Sequence, residues 1–163
     1  MVFRLRRRRE RVPPRIRLLE LAVATRHAAS RLGLLANRVR RTYMRTGDEA
    51  LLSTLESILR LQAVLDVLSV RLETLAEVGA VNAESLAAVR YALRAARESY
   101  AAVAPSAATM MAELENMVAA LASETGVELP QPSEAPATVD QDAERILEEA
   151  AAIAEKRIRE MMT

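Results

Sequence analysis

Two long runs of this sequence repeat apolar residues at alternating intervals of three and four, a spacing that an α-helix turns into a continuous seam. Between Arg15 and Thr46 the seam is Leu18, Leu21, Thr25, Ala28, Leu32, Leu35, Val39 and Thr42. Between Asp48 and Val78 it is Leu51, Leu55, Ile58, Leu61, Leu65, Leu68, Leu72 and Leu75. Leu52, Leu59, Val64, Val67 and Val70 widen the second stripe, so the second helix has to bury more than one side. Thr46-Gly47-Asp48 separates the runs, with a glycine suited to closing one helix and an aspartate suited to capping the next. Two arms of this length predict an antiparallel hairpin about 45 to 50 Å long.

The rest of the chain follows the same period in shorter pieces. Gly79 and Asn82 mark an interruption, after which Leu86, Val89, Leu93, Ala96, Tyr100 and Val103 predict a third helix over 83–104. Pro105 ends or bends it. Met110 or Met111, Leu114, Met117 or Val118, and Leu121 predict a fourth over 106–124, running to Gly126. VELPQPSEAP, residues 127–136, cannot be helix because its three prolines lack amide donors and clash with the preceding turn. Beyond this 125–139 linker, 140–163 predicts a last helix with a narrow apolar face of Ile146, Leu147, Ala150, Ile153, Ala154 and Met161. Thr138 with Gln141 forms a candidate capping box for it, and Lys156, Arg157 and Arg159 sit late, as the helix dipole favours. No segment alternates cleanly enough to read as a strand, so the fold class is all-α, in a chain whose 163 residues suit one domain or an extended helical assembly.

Charge is distributed unevenly along this chain. The formal net charge is +1, yet residues 1–46 carry 14 arginines against Glu10 and Glu20, giving +12, and the remainder carries −11. Such polarity suits a basic part that meets an anionic surface, the acidic part of another copy, or both. The first 14 residues concentrate it: Arg4, Arg6, Arg7, Arg8, Arg9 and Arg11 accompany Phe3 and Leu5. That segment reads as a solvated tail, a nucleic-acid arm, or a membrane anchor whose apolar groups enter the interface while arginines hold anionic head groups. At about 1 kcal/mol per basic residue, six arginines supply at most about 6 kcal/mol. On the following helix Arg26, Arg31, Arg38, Arg41 and Arg45 fall away from the seam and form a basic outer face.

Candidate chemistry is sparse. The chain has no cysteine and one histidine, His27, so neither a disulfide nor a zinc cluster is expected, and no other cofactor is implied. Its four glycines stand singly, so no phosphate-binding loop is present. Glu148 and Glu149 are adjacent on a helix and diverge by about 100°. His27 reads as a surface or partly packed histidine, and the methionines of the fourth helix as adaptable packing. No catalytic, cofactor or metal residues are therefore assigned, and the chain is expected not to be an enzyme. The catalytic alternative is a small helical enzyme of the chorismate-mutase type, which requires Arg and Glu facing the bundle centre. No apolar run approaches the roughly 20 residues of a membrane span, and the arginine-rich start lacks a signal-peptide core.

The order of features resembles the ESCRT-III family, in particular its archaeal cell-division members of the CdvB group. The resemblance is carried by RIRLLELAVATRHAASRLGLLANRVRRTYMRTGDEALL, VLDVLSVRLETLAEVG and AERILEEAAAIAEKRIRE, and it covers nearly the whole chain through helix order more than any single motif. It implies an elongated hairpin with shorter packing helices and a C-terminal outlying helix. It further implies polymerisation with itself and paralogous subunits on an anionic membrane at the division site, cytoplasmic and peripheral, with Arg26, Arg31, Arg38, Arg41 and Arg45 in polymer contacts. Within it, VELPQPSEAP resembles the Pro-rich motif gripped by the MIT domain of an AAA ATPase, with Val127, Leu129, Pro130, Pro132 and Pro136 as contacts. In the closed monomer of that family the acidic C-terminal part folds back on the basic hairpin. The bland reading of the motif is a spacer, and that of the whole chain is an Arg-rich coiled-coil scaffold or nucleic-acid-binding protein.

Overall fold

The computed structural model describes residues 12–79, 81–100, 102, 104–130 and 137–162. They form five helices, α1 (Pro14–Thr46), α2 (Glu49–Val78), α3 (Ala83–Tyr100), α4 (Pro105–Glu124) and α5 (Ala137–Met162), and among the described residues there is no strand. The fold is all-α.

Local chemistry accounts for most of the boundaries. Pro14 opens α1 where a missing amide costs nothing. Gly47 closes it in the left-handed region, at φ 68°, and donates its amide to the Tyr43 carbonyl at 2.7 Å. Asp48 caps α2 by accepting from the Ala50 amide at 3.0 Å. Gly79 ends α2 the same way as Gly47, and Asn82 caps α3 by accepting from the Ser85 amide at 2.7 Å. The interruption at Gly79 is therefore a true break. Helix α3 spans Ala83–Tyr100, short of the predicted 104, and Ala104 is extended at φ −142°, as the residue before a proline prefers. Val103, predicted to continue that seam, lies outside the described residues. Helix α5 starts at Ala137, placing Thr138 inside the first turn instead of at a cap; burial of Val139 against Ala87 and Ala88 outweighs the capping box.

Helices α1 and α2 form the predicted antiparallel hairpin. Its register is fixed by Gln62, whose amide donates 3.2 Å across to the Ala29 carbonyl, and by the Arg26–Glu73 ion pair. Gly33 makes the first of these possible: a Cβ there would stand 2.7 Å from Gln62 Nε2. Buried residues run around most of α2, from Leu55 to Ala76, as the widened stripe predicts. The exception is Val70, which is 59% exposed. Between Ala36 and Leu55 no residue is buried, so the closed end of the hairpin extends past the rest of the bundle as two helices alone.

Helix α3 turns back along α2, and α4 turns back along α3 until Glu124 meets Arg17 at the start of α1, 2.9 Å away. Met110, Met111, Leu114, Val118 and Leu121 of α4 are buried, whereas Met117 is 37% exposed. The last helix does not stand apart: α5 lies against α2 and α3, and Ile146, Ala150 and Ala154 belong to the same core cluster as Leu65 and Leu93. Three of its five buried side chains are alanines, which let helix axes come close, and Leu147, Ile153, Ile158 and Met161 add partly buried apolar area against the core.

Candidate functional site

Arginines dominate the outer face of α1. Arg26, Arg31, Arg38, Arg41 and Arg45 are all exposed, as their distance from the seam requires. Arg26 pairs with Glu73 of α2, and Arg17 with both Glu20 and Glu124. Exposed pairs of this kind contribute about 0 to 1 kcal/mol each, so they orient side chains more than they hold the fold. The membrane-anchor residues Phe3, Arg4, Leu5, Arg6, Arg7, Arg8, Arg9 and Arg11 lie outside the described residues.

The acidic C-terminal helix is clasped to the hairpin by Arg157, whose Nη1 stands 2.7 Å from Asp66 Oδ2 of α2. That contact is ionic and not aligned as a hydrogen bond. Beside it an open groove of about 590 Å³ runs between α2 and α5, lined by the apolar Val67, Val70, Leu75 and Ile153 and by the polar Asp66, Arg71, Thr74 and Glu149. The flank of α2 is thus only partly covered by α5.

Gly126, left-handed at φ 71°, turns the chain out of α4. Val127 then donates its amide to the Ala122 carbonyl at 2.9 Å. Val127 and Leu129 are partly buried against the core, and Leu129 also touches the small cluster of Ala87, Ala88 and Val139. Pro130 is partly buried; Pro132 and Pro136 lie outside the described residues. Two of the proposed ATPase contacts are therefore occupied by the bundle itself. Leu129 shares its seat with Val139 of α5, a link that periodicity within either segment does not reveal.

One carboxylate carries an electrostatic cost. Burial pushes Glu115 of α4 above the ordinary carboxylate range, opposed by Arg97, Arg94 and Arg90 of α3, with Glu98 adding to the rise. Arg97 Nε lies 3.2 Å from its Oε2, again an ionic contact and not an aligned hydrogen bond. This pair sits between α3 and α4, and its signal in the sequence was only an acid inside an apolar stripe.

His27 is exposed, and among the described residues the fully buried polar side chains are Thr25 and Ser69, each donating to a carbonyl of its own helix. Among the described residues no arginine or glutamate is fully buried, although Glu115 and Arg97 meet between α3 and α4, and no group of acids and histidine is arranged to hold a metal ion. No described helix is long and apolar enough to cross a membrane. No protein-family model, curated protein or solved structure matches this chain.

Proposed function

We propose that the chain is an ESCRT-III-like subunit that polymerises on anionic membrane, drives membrane remodelling in archaeal cell division, and is taken apart by an AAA ATPase. The observation that carries this reading is the seating of an acidic C-terminal helix, with Arg157 paired to Asp66, on a hairpin whose first helix exposes its arginines. Three of the five side chains that α5 buries are alanines and its larger Leu147, Ile153, Ile158 and Met161 are only partly covered, which suits a reversible attachment, and the opposite charges of the two chain halves compete between folding back and pairing with a neighbour.

The shared seat of Leu129 and Val139 supports a coupling within this reading. Pulling Val127 and Leu129 into a groove of the ATPase uncovers the cluster that also holds the start of α5, so gripping the linker loosens the last helix. The reading is tested by comparing sedimentation of the full chain with one truncated before residue 125, with and without anionic vesicles. Truncation is expected to raise the pelleted fraction, and equal sedimentation counts against a restraining α5. A nucleic-acid role, which the exposed arginines also permit, is separated by gel shift with DNA at matched ionic strength.

A further inference from the structure

A strip of apolar side chains along α1 faces water. Ile16, Leu19, Val23 and Leu34 are 45%, 39%, 68% and 61% exposed, and Val12, just ahead of the helix, is 38% exposed. Successive residues turn by about 100°, so the four helical positions fall within about 60° of one another and run about 27 Å along the axis, beside the edge of the buried face at Ala22. His27 and Ser30 interrupt the strip between Val23 and Leu34. Arginines border it on both margins, Arg15 and Arg26 on the side nearer α2, Arg31 and Arg38 on the other. The acid beside it on α1, Glu20, is held by Arg17 at 3.2 Å, and across the hairpin Glu73 is paired with Arg26. Glu77, a turn beyond Glu73, is the acid left over, against Arg15, Arg31, Arg38 and Arg41, which make no ion pair with described residues. The strip is open with α5 in place, because α5 lies against α2 and α3.

We propose that α1 lies lengthwise on an anionic lipid surface, with Ile16, Leu19, Val23 and Leu34 entering the headgroup boundary and the bordering arginines holding phosphate-bearing head groups. The inference rests on the membrane part of the proposed function and deepens it: it names the face that meets lipid and lays the hairpin along the surface instead of standing it on its arginine-rich start. An apolar line with cationic margins is the chemistry of a helix at a bilayer interface. Aliphatic groups leave water there, while arginine stems lie along them and carry the guanidinium groups to the phosphates. A second copy presenting the same strip would oppose arginine to arginine. Nucleic acid would use the arginines but leave Ile16, Leu19 and Val23 without a contact, since aliphatic side chains offer bases no ring to stack on. Because the strip is uncovered while α5 is docked, attachment does not wait for the release of α5.

The chain has no tryptophan, so a single one introduced at an exposed position reports its own surroundings. Three full-length variants serve: Val23→Trp and Leu34→Trp in the strip, and Met117→Trp on α4, where the native side chain is 37% exposed, as the control. Each is mixed with vesicles of equal parts phosphatidylglycerol and phosphatidylcholine, with and without bromine on the acyl chains, and with phosphatidylcholine alone. Emission from Val23→Trp and Leu34→Trp is expected to shift to the blue and to be quenched by the brominated anionic vesicles, while Met117→Trp stays unchanged. Val23→Gln is expected to bind the anionic vesicles about tenfold more weakly, the loss of one buried valine, and Met117→Gln to bind as the wild type does. If the wild type binds but Val23→Trp is not quenched, or Val23→Gln binds equally well, the inference is overturned while the membrane reading stands on the arginine-rich start. Quenching at position 23 without quenching at 34, or equal quenching at 117, overturns the lengthwise pose. A blue shift of Val23→Trp that grows with protein concentration without vesicles means that a second copy covers the strip, and one produced by duplex DNA means that nucleic acid does; either overturns it. A wild-type chain that binds neither kind of vesicle removes both this inference and the membrane part of the proposed function.

Discussion

Replacing Ile146 by Ala should free α5 while leaving the rest of the bundle folded. Ile146 is fully buried and is the largest of the five side chains that α5 buries; the others are Val139 and three alanines. An isoleucine-to-alanine change at such a site costs about 2 to 4 kcal/mol. Spread over the whole fold that loss would be modest, but Ile146 is the largest fully buried group of a helix otherwise seated by Val139, three alanines and the partly buried Leu147, Ile153, Ile158 and Met161, so it is a substantial part of the attachment. At about 1.4 kcal/mol per factor of ten, the population with α5 detached rises about 100-fold. Amide hydrogen exchange reads this directly: protection over 137–162 should fall by that factor while Leu61–Leu72 of α2 keeps its own. The same variant should pellet more readily. Exchange that accelerates equally in α5 and α2 would refute the argument, because it would mean that α5 opens only with the entire fold.

Four other outcomes follow from the structure. Leu65→Ala, at a fully buried position in the centre of α2, should cost about 2 to 5 kcal/mol and lower the urea midpoint of the whole bundle, in contrast to Ile146→Ala. Glu115→Gln should remove a pH dependence: its carboxyl is raised in the fold, so stability is fully present below the ordinary value of 4.5 and is lost as pH rises through the raised one. Urea midpoints measured on both sides of that window should slope for the wild type more than for the variant. Gly33→Ala gains up to about 1 kcal/mol of helix propensity but displaces Gln62 from the Ala29 carbonyl, so the double change with Gln62→Ala should be more stable than Gln62→Ala alone. Gly47→Ala, at φ 68°, should cost about 1 kcal/mol by thermal melting, with Gly79→Ala similar.

Where the sequence was readable, the controlling physics was local. Gly47, Gly79 and Asp48 announce helix ends through their own backbone preferences and capping atoms, and the structure places those ends within about a residue. The buried faces were legible because period 3.6 is a property of one helix; the surplus of apolar residues on α2 announced its several neighbours. Which neighbours they are is a different matter. Helix α5 carries its own narrow apolar face, and nothing in that face says whether it stands apart or returns to α2 and α3. The same holds for Leu129, whose partial burial depends on Ala87, Ala88 and Val139 arriving from two other helices. Glu115 was invisible for the same reason: its surroundings are arginines from another element. The arginine face of α1 was correctly placed outward, but pairing Arg26 with Glu73 needs the hairpin register, which Gln62 and Gly33 set.

The bare end of the hairpin, past Ala36 and Leu55, behaves as a cantilever clamped at one side. Deflection of such a beam under a given lateral force grows as the cube of its free length. A full turn trimmed from a projection of about 15 Å would therefore stiffen it about fourfold. Any load applied through Arg41, Met44 or Arg45 bends this spur before it disturbs the core.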